Sequence, residues 1–138
     1  MSFLLDTNVV SEARRPQGNA NVKAWLASAP ASSLYLSVLV VGEIRRGIEQ
    51  LRRRDPVQAR VYETWLTRLG LDYADRILPI TVEIAEQWGR ISVPNPVPVI
   101  DGLLAATAHV RGFTLVTRNT ADFVRTGIRL LNPFEPVR

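Results

Sequence analysis

The feature that most restricts the fold is an alternation of two patterns. Short apolar runs of three or four residues, each ending at a polar residue, are separated by longer stretches whose apolar residues recur at steps of three and four. Phe3-Leu4-Leu5 ends at Asp6-Thr7-Asn8, Leu34-Tyr35-Leu36-Ser37 leads into an arginine-rich segment, Ile77-Leu78-Pro79-Ile80 meets Thr81, and Thr114-Leu115-Val116-Thr117 follows Gly112. Such runs predict strands buried on both faces, and Ile128 to Leu131 supplies one more. Strands alternating with helices imply an α/β fold with a largely parallel sheet covered on both faces by helices. In such a sheet, sites form outside the carboxyl ends of the strands.

The helical stretches carry their own punctuation. After Pro16-Gln17-Gly18, Val22, Trp25 and Leu26 are helically spaced. Val41, Ile44, Ile48 and Leu51 form the stripe of a helix expected to end near Arg54. Asp55-Pro56 is a helix-start pair leading to Val61, Trp65, Leu66 and Leu69, and Thr81 is a cap for a helix running through Trp88. Pro94, Pro96 and Pro98 make a stiff extended loop that delivers the chain to Asp101, after which Ile100, Leu103, Leu104, Thr107 and Val110 share a face. Gly112 is the expected stop.

With 138 residues, 46% hydrophobic and 22% charged, the chain is expected to form a single domain over residues 1–138. Cysteine is absent, which excludes disulfides, thiolate metal sites and a cysteine nucleophile and fits a reducing cytoplasm. No apolar run approaches the roughly 18 residues of a membrane span, and the segment Met1 to Val10 lacks a basic leader, so neither secretion nor membrane insertion is expected. The net charge is +4, and all but one of the 17 basic residues are arginine, the side chain best shaped to hold phosphate. Genomic base composition gives the same bias, so charge alone does not assign a partner.

Four acids stand out by position. Asp6 closes the first strand, Glu43 lies early in the helix after the second, Asp101 opens a helix, and Asp122 follows the strand Thr114-Thr117. Gly47 lies one turn beyond Glu43, and Ala105 and Ala108 share the face of Asp101, so small residues are expected to leave room beside the carboxylates. Gathered together, such acids repel one another and take up protons unless a cation compensates. A set of oxygen ligands without His or Cys suits Mg²⁺ or Mn²⁺, which activate water and neutralise charge on a phosphate. Taken singly, each acid has an ordinary role: Asp6 as a helix cap, Glu43 as a partner of Arg46, Asp101 as an N-cap and Asp122 as a turn residue.

In combination, the segments LLDTNVVSEARRP, LYLSVLVVGEIRRGIEQL, PVIDGLLAATAHVRG and TLVTRNTADF resemble the PIN-domain nucleases, and more narrowly the toxin component of VapBC or FitAB toxin-antitoxin pairs. The resemblance implies a three-layer sandwich with a parallel sheet of four or five strands, Mg²⁺- or Mn²⁺-dependent endoribonuclease activity, and a homodimer. It also implies neutralisation by a small DNA-binding antitoxin whose tail covers the site, with the possibility of a larger hetero-oligomer. By motif, Asp6, Glu43, Asp101 and Asp122 are similar to the family's acidic quartet of catalytic and metal-binding residues. Thr7, Thr117 and Asn119 are similar to its auxiliary polar positions. At Asn119 many relatives carry another Asp, which puts metal affinity and the number of ions in question.

Alternatives stand beside this. A haloacid-dehalogenase-type phosphatase needs a second acid two residues after Asp6, where this chain has Asn8. A non-catalytic PIN-like module would bind RNA or protein without cutting. His109 falls well off the face of Asp101 and suits a surface or packing role, and Trp25, Trp65 and Trp88 suit core or dimer interface better than base stacking. Among the arginines, Arg118 beside Asn119 is the best candidate for substrate contact. Arg45, Arg46 and the run Arg52 to Arg54 fit either a phosphate track or a solvated face.

Overall fold

The computed structural model describes residues 1–136. In chain order the elements are β1 (Phe3–Leu5), α1 (Thr7–Arg14), α2 (Ala20–Ser28), β2 (Leu34–Ser37), α3 (Val38–Arg52), α4 (Pro56–Asp72), β3 (Ile77–Leu78), α5 (Val82–Ile91), α6 (Val99–Arg111), β4 (Thr114–Val116) and β5 (Leu130–Leu131). Two 3₁₀ segments, Ala31–Ser33 and Thr120–Thr126, precede β2 and β5. The five strands form one sheet in the order β3-β2-β1-β4-β5, and every pairing is parallel. The α/β sandwich expected from the alternation is the fold observed.

The central strand β1 is flanked by β2 on one side and β4 on the other, so the chain runs outward in both directions from it. A crevice opens at the carboxyl ends of the strands where the order reverses in this way. Leu4, Leu5, Leu36, Leu115 and Val116 are almost wholly removed from water, which is why these strands carry unbroken apolar runs. Val9, Val22, Val40, Leu104 and Phe123 complete the core from the surrounding helices and the 3₁₀ segment.

Several boundaries differ from expectation for identifiable reasons. β3 is only Ile77–Leu78, because Pro79 has no N–H to continue the ladder. On α3 the buried residues are Val40, Ile44 and Ile48, with Val41 and Leu51 only partly buried. On α4 Val61 is 52% exposed, and Ala59, Leu66 and Leu69 face the core instead. Asp101 does not cap α6: Pro98 occupies that position and Asp101 falls in the first turn. Ala105 and Ala108 belong to the core rather than to open space beside Asp101. Gly112 ends α6 in the left-handed conformation at φ +69°, which glycine adopts without a Cβ penalty.

Close packing also fixes the start of α6. A Cβ on Gly102 would meet the Trp88 and Val97 side chains at 2.8 Å, so only glycine lets α5 approach here. Trp88 is thus packing within the chain, and Trp25 likewise meets Phe3 edge to face at 5.0 Å.

Candidate functional site

Asp6 leaves β1 and immediately caps α1, its carboxylate accepting from the Thr7 N–H at 2.7 Å. Its backbone N–H donates to the Val116 carbonyl, extending the β1–β4 ladder by one residue and setting Asp6 beside Thr117. The Thr117 hydroxyl, fully buried, donates to the second carboxylate oxygen at 2.8 Å. It also accepts from the Asn119 N–H at 3.1 Å. Both oxygens of a buried acid are thereby held, as burial of a charged group requires.

Glu43 reaches the same region from the second turn of α3, which starts without a break after β2 because the buried Ser37 side chain accepts from the Leu39 N–H. The Thr7 hydroxyl donates to Glu43 at 2.6 Å, tying α1 to α3 across the strand ends. Arg46 is not its partner, since among the described residues no arginine or lysine forms an ion pair with Asp6, Glu43, Asp101 or Asp122. Asp101 enters from the first turn of α6, and exposed Asp122 enters from the 3₁₀ segment after β4.

The other three acids lie near enough to Asp101 to act on its charge. Burial pushes the Asp101 carboxyl above its usual range, and the negative charges of Asp6, Glu43 and Asp122 push it further in the same direction. Burial likewise raises Asp6, outweighing the hydrogen bonds from Thr117 and Thr7, and Glu43 adds to the rise. A group of acids whose negative charges act on Asp6 and Asp101, with no basic partner among the described residues, suits a divalent cation. Among the described residues no three are grouped tightly enough to hold an ion by themselves.

The auxiliary positions divide. Thr7 and Thr117 bond directly to the acids through their hydroxyls, whereas Asn119 contributes its backbone, donating to Thr117 and accepting from the Asp122 N–H at 3.0 Å. Arg118 stacks over the Phe134 ring at 4.9 Å, and its N–H donates to the Asn8 side chain. Asn8 was missed as a site residue on sequence grounds. Its amide lies 3.5 Å from Asp6 and 3.4 Å from Thr117, so it braces β1 against the loop after β4. The available signal was its place two residues beyond Asp6. Arg45 and Arg52 pair with Glu49 and Glu63, so these two tie α3 to α4, while His109 is exposed.

Comparison with known proteins identifies the family. Residues 3–128 match the family model described as PIN domain. The chain belongs to the PIN-domain family. It is 34% identical over 96% of its length to Toxin FitB of Neisseria gonorrhoeae, covering 98% of that protein. To the VapC ribonuclease Y4jK of Sinorhizobium fredii it is 32% identical, covering 97% of this chain and 99% of the relative. A solved structure, FitAB bound to the IR36 DNA fragment, superposes with a TM-score of 0.88 at 33% identity, covering 99% of this PIN chain and 98% of the other.

Proposed function

We propose that this PIN protein is a divalent-metal-dependent endoribonuclease, the toxin of a toxin-antitoxin pair, acting as one folded unit in the cytoplasm. The observation that carries the proposal is the set of four acids, without basic partners among the described residues, near the carboxyl ends of β1, β2 and β4, centred on a buried Asp6. The resemblance to a VapC ribonuclease and to Toxin FitB supports the choice of reaction.

Asp6 and Asp101, with Glu43 and Asp122, would hold Mg²⁺ or Mn²⁺. When bound, such an ion lowers the pKa of the attacking water and offsets charge building on the phosphate. The protein's own part is placement. Thr117 and Asn8 fix the orientation of the Asp6 carboxylate, Thr7 fixes Glu43, and Asn119 holds Thr117 in turn. With the Asp6 and Glu43 carboxylates so fixed, a bound cation would need little reorganisation around them as charge develops. Arg118, exposed on the loop after β4 and steadied by Phe134, is placed to contact the RNA backbone.

Two partners complete the proposal. A small DNA-binding antitoxin would block the site with an acidic tail that presents an arginine or a bulky apolar side chain, and a second copy would form a homodimer. Pairing is supported by apolar surface left outside the fold, such as Val57 and Val61 one turn apart on α4, rather than by the tryptophans. Among the described residues no helix is long and apolar enough to cross a membrane. The test is cleavage of single-stranded RNA by the purified protein with Mn²⁺ and with EDTA. Cutting that EDTA abolishes is the expected result, and cutting that persists in EDTA contradicts the proposal.

A further inference from the structure

A hollow of about 490 Å³ opens off the acidic site and shares Thr7 and Glu43 with it. Beyond them its walls come from α1, α3, α4 and the residues that follow α1 and α3, and its chemistry changes sign. Arg14, Arg15 and Arg54 line it, together with Tyr62 and Trp65. Among the described residues Arg14 and Arg54 have no carboxylate partner, and Arg15 makes only a 3.5 Å contact to Glu12 with its side chain 63% exposed. The Arg14 guanidinium lies over the Tyr62 ring at 3.8 Å and near Trp65 at 5.6 Å.

These features call for an anionic occupant, and the aromatic stack favours one with a planar group. Cations without partners call for an anion, and a guanidinium resting on an aromatic ring offers a flat surface on which a base stacks. The volume lies within the range of pockets that enclose small organic groups. A polymer crossing the acids must also continue somewhere, and this hollow begins at Thr7 and Glu43.

We propose that the hollow is a nucleotide subsite for the RNA strand on one side of the scissile phosphate. Arg14 stacks between Tyr62 and a base, Trp65 borders that base, and Arg15 and Arg54 hold backbone phosphates. The identity of the strand rests on the ribonuclease proposal, but the test does not require cleavage. An acidic protein segment would satisfy the arginines too. The planar stack and the direct continuity with the acids favour the nucleotide.

The experiment measures binding of a short labelled single-stranded RNA of mixed sequence by fluorescence anisotropy, in EDTA at low salt. Circular dichroism checks that each variant is folded. Arg14→Ala is expected to weaken binding about tenfold, the scale of one lost stacked base. Arg14→Lys should weaken it nearly as much, because an ammonium keeps the charge and loses the plane. Arg54→Ala should weaken it about threefold and flatten the salt dependence. RNA should quench tryptophan fluorescence in the wild type, and Trp65→Phe should remove that quench.

Folded Arg14 variants that bind RNA like the wild type overturn the subsite, as does a wild type that binds no RNA. Arginine variants that lose only a protein partner overturn it in favour of a protein groove. Arg14-dependent binding without cleavage in Mn²⁺ upholds the subsite and overturns the ribonuclease proposal instead.

Discussion

Two groups of carboxylates in this chain meet opposite treatment. On the face shared by α3 and α4, exposed Glu49 and half-buried Glu63 are paired with Arg45 and Arg52, whose hydrogen bonds hold both acids below their usual range. At the strand ends, Asp6 and Asp101 have no basic partner among the described residues and stand above it. A chain with 17 basic residues does not lack arginines to place there. On the proposal above, the difference teaches that negative charge at the strand ends is left for a cation from outside the protein, at some cost to the metal-free fold.

The comparison breaks most decisively at Asp101. Asp101→Asn keeps size and shape, removes one ligand charge, and should reduce metal-dependent RNA cleavage by at least about a hundredfold, the scale of losing one charge-stabilising group. Cleavage rates of folded wild type and variant check this. Thr117→Val should act less strongly, since it removes the buried donor to Asp6 while leaving the acids in place. About tenfold in activity and roughly 1–3 kcal/mol of stability are expected, measured by cleavage and by chemical denaturation.

Stability against pH sharpens the contrast. Asp101 has a folded pKa raised above its unfolded value, so its contribution is fully present below the unfolded pKa and is lost as pH rises through the folded one. The metal-free Asp101→Asn variant should therefore melt above metal-free wild type at neutral pH, and the gap should close on acidification as Asp101 takes up its proton. Thermal melts in EDTA across the carboxylate range test this. At Glu63 the sign reverses, with stability present above the unfolded pKa and lost as pH falls through the lowered folded one. Because that network is exposed, Glu63→Gln should shift the melting midpoint only slightly.

How much of this was legible in the sequence depends on how far apart the partners lie along the chain. The strands were visible because β1, β2 and β4 are unbroken apolar runs buried in a parallel sheet, and the four acids because they follow those runs. The quartet then drew strength from its motif context. What escaped was set by contacts between distant segments. Glu43 bonds Thr7, 36 residues away, rather than Arg46 on its own helix. Asn8 acquires its role only when β4 lies beside β1 and brings Thr117 within reach. Asp101 was expected to open its helix, but the fixed φ of Pro98 starts the turn earlier and moves Asp101 into it. For Ala105 and Ala108, smallness marks close packing against the core, which spacing alone does not separate from open space.

The central claim is that the acids at the strand ends hold a divalent cation. Its most direct test is titration of Mn²⁺ into metal-free protein, followed by calorimetry and by thermal melting, for wild type and Asp101→Asn. The account predicts saturable binding with a rise in melting temperature for the wild type, and binding at least about tenfold weaker with a smaller rise for the variant. Equal binding by both proteins, or no binding by the wild type at millimolar Mn²⁺, would contradict it.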